Sequence, residues 1–87
     1  VVQRSVIVTN ALGMHARAAA RFVRLASSYT SQIKVTRQGR AIDGKSIMGL
    51  LLLAAAKGAE ISISADGPDE AAALEALAAL VERGFDE

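Results

Sequence analysis

The hydropathy of this chain switches repeatedly between a period of about 2 and one of about 3.6, and that restricts its fold more than any other feature. Val2 to Thr9 mixes β-branched and polar residues, with Val2, Val6 and Val8 on one parity; it reads as a strand although Ile7 interrupts the alternation. Asn10 to Gly13 is turn-like. From Ala16 to Ser27 the period is helical, with Ala19, Phe22, Val23 and Ala26 forming an apolar stripe and Arg17, Arg21, Arg24 and Ser28 on another face. Ser31 to Arg37 alternates again with Ile33 and Val35 inward, and Gln38-Gly39 turns the chain into a short return strand from Arg40 to Asp43. Ser46, a good N-cap, opens a second helix expected to run to Lys57 and stop at Gly58. Glu60 to Ala65 is the cleanest strand, setting Ile61, Ile63 and Ala65 against Glu60, Ser62 and Ser64. Asp66-Gly67-Pro68 breaks it and starts a last helix. Asp69 and Glu70 lie in the first turn of that helix, and Leu74, Leu77, Ala78 and Val81 face inward along it. Gly84 followed by Phe85 reads as a Schellman ending with its hydrophobic contact.

The element order is therefore β-α-β-β-α-β-α. Short alternating strands imply a sheet with one solvated face, and the amphipathic helices cover the other. The expected class is α+β: an open-faced sandwich of three helices on a four-stranded, mainly antiparallel sheet. Pattern alone leaves the strand order open. A chain of 87 residues is expected to make a single domain over residues 1–87 with a real but small core. Its 52% apolar content excludes disorder from low hydrophobicity. There are 18 alanines, yet the only aromatic residues are Phe22, Tyr29 and Phe85. The absence of cysteine excludes a disulfide framework, a redox thiol or a thiolate metal site. The longest apolar run, Leu50 to Ala56, has seven residues, too few to span a membrane. Val1 to Thr9 does not resemble a signal peptide, so a cytoplasmic protein is expected. A net charge of +1 gives no general reason to expect nucleic acid or an anionic membrane as partner.

His15, the single histidine, precedes the first helical turn, with Gly13 two residues before it and Arg17 two after. A helix N-terminus carries unsatisfied N–H groups and about half a positive charge, which suits a phosphate. That potential disfavours an imidazolium and leaves a neutral, nucleophilic ring. A phosphoryl group on it would meet the amides of Ala16 and Arg17, and the Arg17 guanidinium could add a charge-assisted contact. By residue type alone, a lone histidine here is usually a polar side chain of the cap region. Metal binding is not expected, because no second histidine and no cysteine is available as a partner.

Arg17, Arg21 and Arg24 align at i, i+4 and i+7. Like charges at i, i+4 cost a helix about 0.2–0.5 kcal/mol per pair. A solvated face is the plain reading of this row. The sharper one is a surface for acidic protein partners beside His15. Without interleaved aromatics it does not fit nucleic acid. The second helix is apolar nearly all round, which a two-layer domain cannot fully bury, so part of it should stay exposed as a partner site. Met48 is the best candidate there, because a thioether adapts to several surfaces. Ser46 is either a plain N-cap or a regulatory phosphosite at a helix start.

Two stretches, Leu12-Gly13-Met14-His15-Ala16-Arg17 and Lys45-Ser46-Ile47-Met48-Gly49 with the later Ala56-Lys57-Gly58, carry a resemblance to a known family over essentially the whole chain. The sequence resembles HPr, the histidine-containing phosphocarrier of the bacterial phosphoenolpyruvate-dependent phosphotransferase system, including its nitrogen-related branch. The resemblance implies an HPr-like open-faced β-sandwich with strand order 1-4-2-3. It implies that His15 takes a phosphoryl group on Nδ1 from phosphorylated enzyme I and passes it to an EIIA-type acceptor, with Arg17 beside the phosphate. It also implies that an HPr kinase/phosphorylase can modify Ser46, and that Ala20, Arg24, Ile47, Met48 and Leu51 lie on the docking surface; Arg21 joins them from the arginine face. One departure stands out: many members carry proline where this chain has Ala18. The Gly84-Phe85-Asp86-Glu87 ending is similar to nitrogen-branch members, whereas the Ser46 motif looks more like kinase-regulated ones.

The leading expectation is a monomeric phosphocarrier that forms a covalent intermediate without turnover of its own and needs no cofactor. Two alternatives come from other classes. One is a regulatory binding protein signalled through Ser46 with an idle His15, against which the retention of both His15 and Arg17 argues. The other is a small-molecule-sensing domain of ferredoxin-like type, for which no sequence feature supplies a pocket.

Overall fold

A computed structural model describes all residues, 1–87. The strands are β1 (Val2–Ile7), β2 (Gln32–Arg37), β3 (Arg40–Asp43) and β4 (Glu60–Asp66). They form one antiparallel sheet in the order β1-β4-β2-β3, as the resemblance implied. The register pairs Val6 with Ile61 and Val35 with Ile63, so the apolar parity of each strand faces the helices. The opposite parity leaves Gln3, Ser5, Lys34, Thr36, Ser62 and Ser64 on the open face. Gln38 and Gly39 both have positive φ (50° and 81°), which matches the right-handed twist of the hairpin they close.

The helices are α1 (Ala16–Ser27), α2 (Ile47–Leu53) and α3 (Glu70–Glu82). α1 buries Ala18, Ala19, Phe22 and Ala26, and α3 buries Ala73, Leu74, Leu77, Ala78, Leu80 and Val81. With the inward strand residues, Phe85 and others they form one cluster of 22 buried side chains. Part of the alanine excess lies here: small residues on α1 and α3 let both helices pack together above the sheet with only two aromatic rings fully buried, Phe22 and Phe85. The end of α3 is a Schellman motif. The Phe85 N–H donates to the Leu80 carbonyl (2.9 Å) and the Gly84 N–H to the Val81 carbonyl (3.0 Å).

Some expected element bounds need correction. β1 ends at Ile7 and β2 begins at Gln32, each shorter than read. More consequentially, α2 does not reach Lys57: it ends at Leu53, with Ala54 in the left-handed region as its C-cap. The apolar run continues past that point, but tertiary bonds take over the backbone. Arg37 Nη1 donates to the Leu53 carbonyl (3.0 Å), and the Met14 N–H donates to the Ala55 carbonyl (2.8 Å). These bonds satisfy orphaned groups that further helical turns would otherwise have paired.

Asp69 does not cap α3 with its side chain. Its carboxylate instead crosses to the start of β2. There it accepts from the amides of Thr30 and Ser31 (2.9 Å each), the Thr30 hydroxyl (3.2 Å) and the fully buried Ser31 hydroxyl.

Candidate functional site

The Gly13 turn positions His15. Gly13 has φ of +65°, and a Cβ there would lie 2.5 Å from the Ala55 carbonyl oxygen, so only glycine lets the loop cross the segment after α2 this closely. The neighbouring Met14 amide is bonded to that same carbonyl, and the His15 N–H donates to the Gly13 carbonyl (2.9 Å).

His15 is itself the N-cap of α1, with extended backbone (φ −83°, ψ 179°). Its Nδ1 accepts from the Arg17 N–H at 3.3 Å, so the ring's own nitrogen stands at the open amide end of the helix. The imidazole is 26% exposed, enough for a reagent to reach it. Arg17 and Arg24 are exposed and make no ion pair, so both guanidinium charges on α1 are open to solvent. The Arg17 amide, expected to be free for a phosphate, is occupied by the ring in this state.

Sequence reasoning missed two residues that touch this site. Glu87 Oε2 lies 2.5 Å from His15 Nε2, and Glu87 Oε1 accepts from Asn10 Nδ2 at 2.8 Å. The Asn10 bond, followed by contacts with His15, holds the Glu87 carboxyl below its ordinary value, so it is an acceptor at neutral pH. Separations of 72 and 77 residues hide both contacts from any local pattern. No group of three or more His, Cys, Asp or Glu side chains is placed to hold a metal ion.

The other candidates fall on or near α1 and α2, which pack together. Ser46 Oγ accepts from the Gly49 N–H (3.0 Å), so Ser46 is the N-cap of α2. Ile47 (42% exposed) and Met48 (69%) are open to solvent, as is Leu52 (62%), while Leu51 and Ala20 are half-buried. Leu12, just before the Gly13 turn, is 72% exposed. Arg21 differs from expectation: it is half-buried, and its Nη1 donates to the Phe85 carbonyl at 2.7 Å. It anchors the C-terminal segment and is not a free charge for a partner. No helix is long and apolar enough to cross a membrane.

Comparison with known proteins decides the family. A family model described as "PTS HPr component phosphorylation site" matches residues 2–83. The chain belongs to the HPr family. The phosphocarrier protein HPr of Cupriavidus necator is 46% identical over 86 residues, covering 99% of this chain and 97% of that protein. Among solved structures, HPr-C-His from Thermoanaerobacter tengcongensis superposes with a TM-score of 0.96 at 39% identity, covering 100% of this chain and 98% of that one. The phosphocarrier HPr of Bacillus anthracis gives a TM-score of 0.89 at 42% identity, covering 92% and 95%. Like these HPr proteins, the chain is a phosphocarrier of the phosphotransferase system.

Proposed function

We propose that residues 1–87 act as one carrier domain in which His15 accepts a phosphoryl group on Nδ1 from phosphorylated enzyme I and delivers it to an EIIA-type protein. The observation that carries this is the placement of His15 at the N-cap of α1, with Nδ1 toward the helix amides. The Nδ1 lone pair attacks phosphorus, and the donor's bond to phosphorus breaks with its electron pair staying on the donor. The new phosphate then faces the N-terminal amides of Ala16 and Arg17, once the Arg17 N–H turns from the ring to a phosphate oxygen. The unpaired Arg17 guanidinium adds a charge-assisted contact. The chain has no turnover alone; enzyme I and the acceptor supply the remaining groups.

Docking is assigned to Ala20, Arg24, Ile47, Met48 and Leu51, with the exposed Leu12 and Leu52 extending the apolar part. Regulation is assigned to Ser46. An HPr kinase/phosphorylase would place a phosphate at the start of α2, next to Ile47 and Met48, where its charge opposes apolar docking. The protein works as a cytoplasmic monomer in this reading.

The test is incubation with phosphoenolpyruvate, Mg²⁺ and an active cognate enzyme I, followed by intact mass. One acid-labile phosphoryl adduct is expected, absent from His15→Ala. No adduct under these conditions would sink the reading.

A further inference from the structure

Asn10 is 9% exposed, lies in the turn before His15 and takes no part in the carrier chemistry above. Its Nδ2 donates twice, to the Gly13 carbonyl and to Glu87 Oε1, both at 2.8 Å. Its Oδ1 has no partner. Rotating the amide would set that oxygen against two acceptors, so the double donation fixes the orientation and leaves Oδ1 unpaired. A buried polar atom left unsatisfied calls for an explanation, and here it is the geometry at Glu87.

Glu87 is carried to the ring by a constrained segment. Phe85 is fully buried, its carbonyl is held by Arg21, and both Phe85 (φ 59°) and Asp86 (φ 62°) occupy the left-handed region as non-glycine residues. Consecutive left-handed residues of this kind persist only where the surroundings hold them. The outcome is that one carboxylate oxygen meets Asn10 and the other meets His15 Nε2.

We propose that Asn10 and Glu87 are a positioning pair for the phosphoryl acceptor: Glu87 accepts the Nε2 hydrogen of His15, which keeps the lone pair on Nδ1, and Asn10 holds the carboxylate in place. An ionised carboxylate only accepts, so Nε2 is the protonated nitrogen. The Arg17 N–H donates to Nδ1, so the same tautomer is specified from both sides of the ring. The charged groups around the Glu87 carboxylate are His15, Arg21, and the Arg17 and Arg83 that share its cleft. In function the proposal rests on His15 being the acceptor, but the tautomer itself is a property of the unphosphorylated protein.

The experiment is long-range ¹H–¹⁵N NMR of histidine-labelled protein at alkaline pH, on wild type, Asn10→Ala and Glu87→Gln. Wild type should show a single dominant tautomer, with Nε2 protonated. Both variants should shift toward a mixture, because a Gln amide oxygen cannot serve Asn10 and His15 as two carboxylate oxygens do. Transfer from phosphorylated enzyme I should slow about tenfold in each, the low end of the loss found when the outer hydrogen-bond partner of a metal-bound histidine is removed. Asn10→Ala also frees the Gly13 carbonyl, whereas Glu87→Gln touches no backbone, so the second variant decides if the first unfolds. A wild-type mixture, an unchanged tautomer in Glu87→Gln, or a changed tautomer with no change in rate would overturn the proposal. A tautomer shift in a protein that takes no phosphoryl group would support the pair and refute the carrier reading.

Discussion

Replacing Gly13 by alanine tests whether the turn before His15 is held by close backbone approach. The φ of +65° is retained only with strain, about 1 kcal/mol for a side chain in the left-handed region. The added Cβ would also lie 2.5 Å from the Ala55 carbonyl oxygen and 2.8 Å from the Ala56 Cα, backbone atoms that cannot swing away as a flexible side chain does. Forcing a methyl group into such a contact costs about 2 kcal/mol more. Gly39→Ala is the matched control, because its φ is +81° but nothing lies within 4 Å of its Cβ; it should lose only about 1 kcal/mol. The difference of about 2 kcal/mol corresponds to roughly 2 M in urea midpoint at a slope near 1 kcal/mol per molar. Phosphorylation should also be slower in Gly13→Ala than in Gly39→Ala, since the Met14 and His15 amide bonds are anchored at this contact. Equal urea midpoints for the two variants would refute the reasoning.

Three further outcomes follow from other parts of the fold. Met48→Asp places a charge in the exposed apolar surface of α2 and should weaken enzyme I binding on the order of tenfold, whereas Gln38→Asp in the β2–β3 turn should leave it unchanged; calorimetric titration reads both. The Asp69 carboxyl is lowered from 3.8 to about 2, first by the Ser31 hydroxyl and then by the Thr30 amide. A depressed folded value means its stabilisation is full above the ordinary value of 3.8 and is lost as pH falls through the folded one, so melting temperature should drop more steeply over that acid interval in wild type than in Asp69→Asn. Phe85→Ala empties a fully buried site and should cost about 3–5 kcal/mol in thermal unfolding, and in the folded fraction it should loosen Glu87 from His15.

The parts of the fold legible in the sequence are those governed by local period and cap chemistry. Ala16–Ser27 and Arg40–Asp43 have the bounds that the pattern implies, Ser46 caps α2, and Gly84-Phe85 closes α3 as a Schellman motif. The strand order came from resemblance alone, because alternation says which face is buried and not which strand is the neighbour. The end of α2 is not visible in the pattern because Leu50 to Ala56 is uniformly apolar, and what takes over its last carbonyls are donors from other elements, the Arg37 guanidinium and the Met14 N–H. At the site, His15 and Arg17 stood out by their position at a helix start. Glu87, Asn10 and the anchoring role of Arg21 did not, because each acts through a contact that only the closed fold creates. The same is true of Asp69: the pattern implies a dipole role in the first turn of α3, whereas the residue is the N-cap position and its carboxylate bonds to Thr30 and Ser31.

The most direct test of the central claim is to locate the phosphorus atom. Histidine-¹⁵N-labelled protein, phosphorylated by phosphoenolpyruvate and cognate enzyme I alone, should show phosphorus coupled to Nδ1 of His15, with one phosphoryl group per chain. Phosphorus on Nε2, or on Ser46 under these conditions, would contradict the assignment of His15 Nδ1 as the nucleophile at the start of α1.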